Sequence, residues 1–300
     1  MARKALFVGY ANIDVIARLR SPLKRGERLT ATQIDKMPGG MAANAACAAA
    51  AVGIPAIFCG SVGRDPFGKV IIEDFRRFGV RLCPGARRSR TTLCLIGVYP
   101  DGERFIISEP SDFDSKALRR YLAQADDGLE GGVLYVDGYH IGKIREELDQ
   151  ARVQGLRVFC DVDGGPEAYT SGELLAHLAK VDVALVNPAV LAFLFGEHPL
   201  EEGCRRLLTL VPQVILTRGS KEVYLFTRWK SRRFTVSPAR RIVDTIGAGD
   251  VFSGVFVAFW VSGKSLEEAV EAAIKAATIS VEYPGARGGL GAIRQILQAQ

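Results

Sequence analysis

The feature that most constrains the fold is a series of short apolar runs separated by segments of helical length. The runs are rich in Val, Ile, Leu and Phe and end at Gly, Asp, Asn or Pro. Strands that are apolar on both faces lie inside parallel sheets covered by helices on either side. The pattern predicts an α/β fold with a central, mostly parallel sheet, whose strands include "ALFVGYA", "AIFCGSVG", "VLYVDGY", "LRVFCDV", "VALVNP" and "QVILTRGS".

Polar residues collect where these strands are predicted to end. Ligands of parallel sheets bind at the carboxyl ends of the strands, so a side chain at such a position is a candidate for binding or catalysis. The residues found there are Asn12, Asp14, Asp137, Asp161, Asp163, Asn187, Thr217 and Arg218.

Two segments, 11–36 and 91–108, interrupt the alternation of strands and helices. The second reads "TTLCLIGVYPDGERFIIS", with apolar and polar residues alternating on both sides of an Asp-Gly turn, which predicts an antiparallel hairpin. The two segments are expected to form a small β-sheet lid on a single domain that spans residues 1–300, because no linker divides the chain. The alternative is a pair of edge hairpins that extend the central sheet.

Composition and charge exclude several classes of function. The 300 residues carry a net charge of +6, but the basic residues form scattered pairs without interleaved aromatics, so no nucleic-acid partner is expected. The six cysteines stand singly, without metal-ligand spacing, which is typical of a reduced cytoplasmic protein. The longest apolar run, 251–261, is shorter than the roughly 20 residues that cross a bilayer, so no membrane partner is expected.

The segment "DTIGAGD", from Asp244 to Asp250, has the composition of an anion-binding turn. Gly247, Ala248 and Gly249 lack side chains that would keep a ligand from the backbone, and they lead into an apolar helix. Free N–H groups at the start of a helix bind anions such as phosphate. Asp250 then lies beside the anion, where its carboxylate can take a proton from an attacking hydroxyl. An ordinary glycine turn with an aspartate helix cap would have the same sequence.

A second glycine-rich segment, "PGGMAANAACAAAAVG", contains candidates for substrate binding. Glycine is unfavourable at the start of a helix unless the backbone approaches another group closely. Gly39, Gly40 and Asn44 are therefore expected to form a wall against a polar ligand. Residues 45–51 are interpreted as a purely structural helix of small residues.

Several familiar motifs are absent. "GKS" at 263–265 resembles the end of a P-loop, but Ala258 stands where that motif requires glycine. No G-x-G-x-x-G follows the first strand, which argues against a dinucleotide oxidoreductase. No Ser/His/Asp or Cys/His arrangement is recognisable, so His140, His177 and His198 are interpreted as core or surface residues.

Taken together, these segments resemble the ribokinase-like, or PfkB, family of carbohydrate and nucleoside kinases. The first signature of that family is similar to "GGMAANAACAAAAVG" followed by "FCGSVGRDPFG", and the second is similar to "DTIGAGDVFSG". Two such motifs in this order are far more specific than either one alone. The resemblance extends over nearly the whole chain.

The resemblance implies a three-layer α/β/α domain with a small β-sheet lid over the sugar site. It also implies transfer of the ATP γ-phosphoryl group, with Mg²⁺, to a substrate hydroxyl, with Asp250 as general base and the amides of residues 247–249 as anion hole. Positions that match substrate-binding ones are Asn12, Asp14, Gly39, Gly40 and Asn44. Positions that match nucleotide-binding ones are Asn187, Thr217, Arg218, Gly219 and Gly249. Asp244 matches a residue associated with a monovalent cation, K⁺.

The chain departs from the family pattern at positions that concern magnesium and the nucleotide. Val190 occupies the place of the glutamate in the Asn-x-x-Glu motif, which organises the metal. Glu222 replaces a glycine usual after "TRG", and "AIKAAT" lacks an asparagine often found near the adenine. The resemblance therefore leaves the magnesium shell and the choice of nucleotide open.

The function expected is ATP-dependent phosphorylation of a small neutral sugar, with a ketohexose such as fructose among the candidates. Met41 stands where some ribokinases have lysine, which argues against an anionic substrate. The alternative is an adenosine-like nucleoside kinase in which Tyr10 or Phe105 stacks on a base. A third hypothesis, raised by the missing glutamate at position 190, is a catalytically inactive sensor of sugar or nucleotide.

A homodimer that forms through the lid is also expected. An exposed sheet edge invites strand pairing across a two-fold axis, and the family resemblance implies the same assembly. No partner besides the small-molecule substrate and ATP is expected.

Overall fold

The computed structural model describes residues 3–88, 90–110, 113–124 and 129–298, which contain fifteen strands and eleven α-helices. The strands are β1 (Ala5–Val8), β2 (Asn12–Arg18), β3 (Gln33–Gly39), β4 (Ala56–Phe58), β5 (Val62–Gly63), β6 (Arg81–Leu82), β7 (Arg87–Arg88), β8 (Thr92–Val98), β9 (Arg104–Ser108), β10 (Val133–Asp137), β11 (Arg157–Asp161), β12 (Val183–Val186), β13 (Gln213–Thr217), β14 (Glu222–Thr227) and β15 (Ser231–Thr235). The helices are α1 (Met41–Ala51), α2 (Pro66–Phe78), α3 (Lys116–Gln124), α4 (Arg145–Val153), α5 (Gly165–Ala168), α6 (Ser171–Leu178), α7 (Pro188–Phe195), α8 (Leu200–Leu207), α9 (Ala248–Val261), α10 (Leu266–Ser280) and α11 (Leu290–Gln298).

Nine strands form one large sheet in the order β15, β14, β13, β12, β11, β10, β1, β4, β6. All neighbours from β6 to β13 pair in parallel, and only β14 and β15 are antiparallel. Each of the six apolar runs in the sequence supplies one of the parallel strands. The predicted mostly parallel sheet is therefore confirmed.

Helices cover both faces of this sheet and give three layers. Along β1, Ala5 and Phe7 face one apolar core, which contains α1, α2, α9, α10 and α11. Leu6 and Val8 face the other core, which contains α3, α4, α6, α7 and α8. Burial on both faces explains why the strand lacks polar residues, and it confirms the expected three-layer arrangement.

The alanine-rich helix α1 packs closely against α9. A Cβ atom added to Gly254 of α9 would lie 2.2 Å from the carbonyl oxygen of Ala45 and 2.8 Å from the Cβ of Ala48. Small residues on both helices are what allow the two backbones to approach so closely. This contact holds "DTIGAGD", at the start of α9, next to Asn44 on the first turns of α1.

A separate four-stranded sheet, in the order β3, β2, β8, β9, stands apart from the large one. Strands β8 and β9 form the predicted antiparallel hairpin, with Gly102 at φ +88° in its turn. The alternative, hairpins that extend the edges of the central sheet, is therefore wrong. Strand β3 runs to Gly39, three residues beyond the predicted end of the first segment at 36.

One aspartate anchors this small sheet to the large domain. Asp65, the N-cap of α2, accepts hydrogen bonds from the backbone N–H of Gly68 at 2.8 Å and of Thr91 at 2.6 Å. It also accepts one from the hydroxyl of Thr91 at 2.7 Å. Since Thr91 immediately precedes β8, the "GRDPFG" segment fixes the point at which the small sheet leaves the domain.

Among the helices described, none combines the length and the apolar character needed to cross a bilayer.

Candidate functional site

A cavity of about 520 Å³ lies between the small sheet and the carboxyl ends of the central strands. Eight of the nine positions expected to act in catalysis or substrate binding line it: Asn12, Asp14, Gly40, Asn44, Gly247, Ala248, Gly249 and Asp250. The small sheet contributes Cys94, Ile96, Arg104, Ile106 and Ser108, and the central domain contributes Tyr10, Tyr139, Asp163, Glu167 and Val190. The two signature segments, distant in the sequence, thus share one cavity.

The glycine turn before α9 has the geometry of an uncapped helix N-terminus, in which the N–H of Ala248 makes only a long hydrogen bond, 3.4 Å, to the carbonyl oxygen of Thr245. Helix α9 begins at Ala248, after Gly247 at φ +74°, and no side chain caps it. The alternative of an aspartate helix cap is therefore wrong, because Asp250 lies inside the first turn. The carboxylate of Asp244 accepts hydrogen bonds from the N–H groups of Ile246 at 2.9 Å and Gly285 at 3.0 Å, so it braces the turn.

Asp250 projects from the first turn of α9 into the cavity and binds Asn44. The side-chain NH₂ of Asn44 donates to Oδ2 of Asp250 at 2.7 Å. Burial raises the pKa of Asp250 well above its ordinary value; the Asn44 hydrogen bond lowers it, and the charge of Asp161 raises it further. A carboxylate with a raised pKa is a stronger base, which suits proton transfer from a hydroxyl.

Asn12 and Asp14 lie on the cavity side of β2 as a hydrogen-bonded pair. The NH₂ of Asn12 donates to Oδ1 of Asp14 at 2.6 Å. Burial raises the pKa of Asp14 to about 6, against the hydrogen bond from Asn12, which lowers it. The pair offers both donors and acceptors to hydroxyl groups in the cavity.

The glycines before α1 make room for protein atoms. A Cβ on Gly39 would lie 2.1 Å from Oδ2 of Asp14, and one on Gly40, at φ +98°, would lie 2.4 Å from the carbonyl oxygen of Tyr10. Gly40 lines the cavity and Gly39 does not. The substrate-binding role expected for both glycines stays a prediction, and Gly39 in addition leaves room for the Asp14 side chain.

Two aspartates lie at the end of β11 beside Asp250, Asp161 as the last residue of the strand and Asp163 two positions beyond it. Ser253 of α9 donates its hydroxyl hydrogen to Oδ2 of Asp161 at 2.8 Å. Burial, together with the charge of Asp163, raises the pKa of Asp161 to about 7. A carboxyl group that is partly neutral near pH 7 reduces the negative charge next to the glycine turn, which favours an anion there.

The raised pKa of Asp161 predicts a pH-dependent effect of the substitution Asp161→Asn. Because its folded-state pKa of about 7 exceeds the ordinary value of 3.8, Asp161 contributes stability that is present below pH 3.8 and lost as pH rises to about 7. Asparagine titrates in neither state. The Tm of the wild type, relative to that of the variant, is expected to fall between about pH 4 and 7 and to level off above that range. Thermal unfolding across this range checks it, and a constant difference would contradict it.

The candidates at the end of β12 and β13 divide into two groups. Asn187 caps α7, donates to Oδ1 of Asp163 at 3.3 Å and accepts from the N–H of Val190 at 2.9 Å, so it adjoins the cavity. Thr217, Arg218 and Gly219 are not among the residues that line the cavity. They lie one strand further along the sheet.

Glu222, which replaces a glycine usual in the family, contacts Arg218 in the structure. Glu222 accepts a hydrogen bond from Nη1 of Arg218 at 2.8 Å across the turn between β13 and β14. The guanidinium of Arg218 is therefore held by a carboxylate of its own hairpin, and a nucleotide phosphate would have to compete with it.

Two contacts at the site were not predicted from the sequence. Arg104 of β9 lines the cavity and donates to the hydroxyl of Thr245 at 3.1 Å, which links the small sheet to the "DTIGAGD" turn. Its neighbour Phe105 is not among the cavity-lining residues, because successive residues of a strand face opposite sides. The alternation of residues between the two faces of β9 was the sequence signal that could have identified Arg104.

The second contact that was not predicted joins Asp137 and His140, which form a buried pair behind the cavity wall. Nδ1 of His140 and Oδ1 of Asp137 lie 2.5 Å apart, and both side chains are fully buried. The ring of Tyr10, which lines the cavity, lies 5.7 Å from the ring of His140 and 5.9 Å from that of Tyr139. The spacing of three residues at the end of β10 was the signal that could have revealed the pair.

Comparison with known proteins agrees with this geometry. The family described as "pfkB family carbohydrate kinase" matches residues 2–292. The ribokinase of Arabidopsis thaliana is 30% identical over 298 residues, which cover 93% of this chain and 76% of that protein. The ribokinase of Bacillus subtilis is 26% identical over 302 residues, which cover 96% of each.

Solved structures share the fold. The structure of Arabidopsis thaliana ribokinase complexed with ribose and ATP has a TM-score of 0.79 at 24% identity, over 99% of each chain. The adenosine kinase of Sinorhizobium meliloti has a TM-score of 0.83 at 22% identity, over the whole of each chain. At such identities the likeness concerns the fold, whereas the family match and the 30% identical relative concern descent. This chain therefore belongs to the pfkB family of carbohydrate kinases and is a phosphotransferase.

Proposed function

We propose that the protein phosphorylates a hydroxyl group of a small neutral sugar with ATP, and that a ketohexose such as fructose is among its candidate substrates. The observation that carries this proposal is the position of Asp250. Its carboxylate lies in the same cavity as the polar pair Asn12 and Asp14 and next to the amides of residues 247–249, which no side chain caps. A hydroxyl acceptor, a base and an anion site are thus available within one enclosed volume.

In the proposed mechanism the residues of the chain divide the work of phosphoryl transfer. Asn12, Asp14 and Asn44 bind sugar hydroxyls and orient one of them toward Asp250. Asp250 accepts the proton of that hydroxyl as its oxygen attacks phosphorus. The amides of residues 247–249 stabilise the negative charge on the transferred phosphoryl group. The small sheet covers the cavity and excludes water, which would otherwise compete as acceptor.

The residues near the glycine turn can bind Mg²⁺, but through oxygen ligands other than the glutamate of the Asn-x-x-Glu motif. Val190 lines the cavity without a ligating atom, and in the described part of the chain no three acidic, His or Cys side chains form a ready metal cluster. Asp163, hydrogen-bonded to Asn187, and Glu167 are the oxygen donors along that wall, and they would hold Mg²⁺ together with phosphate oxygens and water. When bound, the ion would neutralise phosphate charge.

We place the proposed nucleotide site at the end of β13 and the proposed monovalent-cation site at Asp244. Thr217, Arg218 and Gly219 lie at the strand end that would meet ATP, next to the strand that leads to Asn187. The carboxylate of Asp244 already accepts hydrogen bonds from two N–H groups, and it would ligate K⁺ with its remaining lone pairs.

The charge of the cavity favours a neutral substrate over a sugar phosphate. Four carboxyl groups line it, those of Asp14, Asp163, Glu167 and Asp250, against a single cationic side chain, Arg104, among the described residues. The phosphate group of a sugar phosphate would have to lie among these carboxyl groups, which is electrostatically unfavourable.

A nucleoside is the alternative substrate, and one observation favours it. Tyr10 and Tyr139 form an edge-to-face aromatic wall of the cavity, with ring centroids 5.9 Å apart, on which a base could stack. Phe105, the other candidate for stacking, does not line the cavity.

The experiment that tests the proposal is ADP release from ATP and Mg²⁺ across a panel of ketoses, aldoses, sugar phosphates and nucleosides. Release with a neutral sugar supports the proposal, and release with adenosine alone supports the nucleoside alternative. Tight binding of sugar or ATP without ADP release from any member would instead support the inactive sensor. The variant Asp250→Asn, described below, is the control for contaminating kinases.

We also propose a homodimer through the outer face of the small sheet. Leu95, Ile107 and Ile34 are 48%, 58% and 61% exposed on that face, and Leu95 and Ile107 are direct partners across β8 and β9. Contiguous exposed apolar side chains at a sheet with open edges favour association. A cytoplasmic location is a further proposal, supported by six buried cysteines that form no disulfide.

Ile107→Glu is expected to convert the proposed dimer to a monomer, because each two-fold contact would bury a new carboxylate. Sedimentation of the wild type and the variant measures the change. Val153→Glu, at an 88% exposed site on α4, is the control and should leave the assembly unaltered. A monomeric wild type, or a variant that remains dimeric, would show that this face is not the interface.

A further inference from the structure

Arg287 is a nearly buried cation that joins three structural elements at the site. Only 8% of its surface is exposed. Its Nε donates to Oδ1 of Asn44 on α1 at 2.9 Å, and its Nη2 donates to the carbonyl oxygen of Gly39 at the end of β3 at 3.2 Å. Nη1 pairs with the carboxylate of Asp74 on α2, and the ring of Phe75 lies 5.8 Å from the guanidinium carbon.

The contact with Asn44 decides which way its side-chain amide points. Arginine can only donate hydrogen bonds, so the atom of Asn44 that faces it must be the amide oxygen. The NH₂ group then faces the other way, where it donates to Oδ2 of Asp250 at 2.7 Å. Rotation of the amide by a half-turn would set its oxygen against the carboxylate of Asp250 and leave two acceptors in contact.

We propose that Arg287 is a positioning residue for phosphoryl transfer, because its guanidinium fork holds the Asn44 amide in the one orientation that donates to Asp250. The inference rests on the proposed function, in which Asp250 takes the proton of the acceptor hydroxyl. Arg287 does not touch the cavity, since it is not among the residues that line it. It acts through Asn44 and, on the other side, steadies the carbonyl of Gly39 at the base of the small sheet.

Packing alone does not account for an arginine at this position. A buried ion pair loses the hydration of both partners, and an apolar pair of similar volume would fill the same space without that cost. Asp74 satisfies one corner of the guanidinium, whereas the remaining hydrogen bonds go to the two segments that form the substrate wall. The geometry of the fork is what a shorter or single-pointed cation cannot reproduce.

Asp250 reports on the state of Asn44, because the donated hydrogen bond stabilises its ionised form. The other titratable groups that face Asp250 are the carboxyls of Asp14, Asp161 and Asp163 and the phenols of Tyr10 and Tyr135. A substitution at position 287 replaces none of these groups, although burial raises the pKa of Asp14 and the charge of Arg287 lowers it. A change in the titration of Asp250 in such a variant therefore reflects the Asn44 contact or the charge of Arg287 itself.

The variant Arg287→Lys separates these two causes. Lysine keeps the positive charge and the pairing with Asp74, but it has no second nitrogen to hold Asn44 and Gly39 at the same time. The titration midpoint of Asp250 is measured by ¹³C NMR of carboxyl-labelled aspartate, with the resonance assigned by its loss in Asp250→Asn. The midpoint, and with it the acid limb of kcat/KM, is expected to rise by about one pH unit.

Variants at other positions test whether the change in the Asp250 midpoint passes through the contact between Arg287 and Asn44. Asn44→Ala should raise the midpoint as much as Arg287→Lys does, and combining the two should raise it no further, since both act through one hydrogen bond. Arg233→Lys, at an exposed position on β15, should change nothing. If Arg287→Lys does not fold, Arg287→Gln combined with Asp74→Asn supplies an uncharged pair of similar size.

Two outcomes overturn the inference. An unmoved midpoint in Arg287→Lys, with or without a lower Tm, would mean that Arg287 serves the fold alone. Additive effects of the Asn44 and Arg287 substitutions would mean that Arg287 acts on Asp250 by a route other than the Asn44 hydrogen bond. The NMR titration does not depend on turnover, so a wild type that releases no ADP would defeat the proposed function and still leave this inference decided by the midpoint.

Discussion

Asp250→Asn is expected to lower kcat by about three orders of magnitude, the typical contribution of a general base. Asparagine has the same shape, and its side-chain oxygen can still accept the hydrogen bond from Asn44 that the carboxylate accepts at 2.7 Å. What it lacks is the ability to take a proton. The Kd for ATP should therefore stay close to that of the wild type, and the loss should appear in kcat, measured at saturating sugar and ATP.

Removing the charge of Asp250 should also leave the fold intact. The carboxylate is one of several in a partly buried cluster, and the loss of one negative charge relieves the repulsion that raises its pKa. Asp101→Asn, in the exposed turn between β8 and β9, is a matched control in which kcat should not change. Turnover of Asp250→Asn within a few-fold of the wild type would remove Asp250 from the role of base.

The sequence was sufficient to predict the elements whose burial leaves a periodic signature. Strands such as β1 and β10 are apolar throughout because helices cover both of their faces. The hairpin of β8 and β9 alternates because only one of its faces lines the cavity. The sequence was also sufficient to bring Asn44 and Asp250 into one candidate site, because both lie in glycine-rich segments that begin helices.

Contacts made across the topology left no such signature. Arg287 reaches Asn44 across 243 positions of sequence, and Arg104 reaches Thr245 across 141. Arg104 stands in no repeated or glycine-rich pattern, and the glycines that flank Arg287, at positions 285, 288 and 289, do not indicate which residue its side chain reaches. The close approach of Asp14 to Gly39 was missed in the same way, because the atom that a side chain at position 39 would meet lies on a neighbouring strand.

The two glycines of the anion-binding turn differ in the same respect. Gly247 leaves room for protein atoms, whereas Gly249 faces open space. Gly247 has φ +74°, and a Cβ there would lie 2.2 Å from the Cβ of Ala286 and 2.7 Å from its Cα. Gly249 has no protein atom within 4 Å of such a Cβ, and it lines the cavity. A methyl group at position 247 therefore meets the fold, whereas one at position 249 meets only what the cavity binds.

Gly247→Ala is expected to lower both Tm and kcat, the latter by about a hundredfold or more, because the left-handed backbone costs about 1–3 kcal/mol and the clash displaces the amides of the turn. Gly249→Ala is expected to keep the Tm of the wild type, because alanine is favourable within a helix, while KM for ATP rises and kcat falls. Thermal unfolding and steady-state kinetics of the two variants measure this contrast. If Gly249→Ala retained wild-type kinetics, the phosphoryl group would not approach this amide, and the anion hole would have to lie elsewhere on the turn.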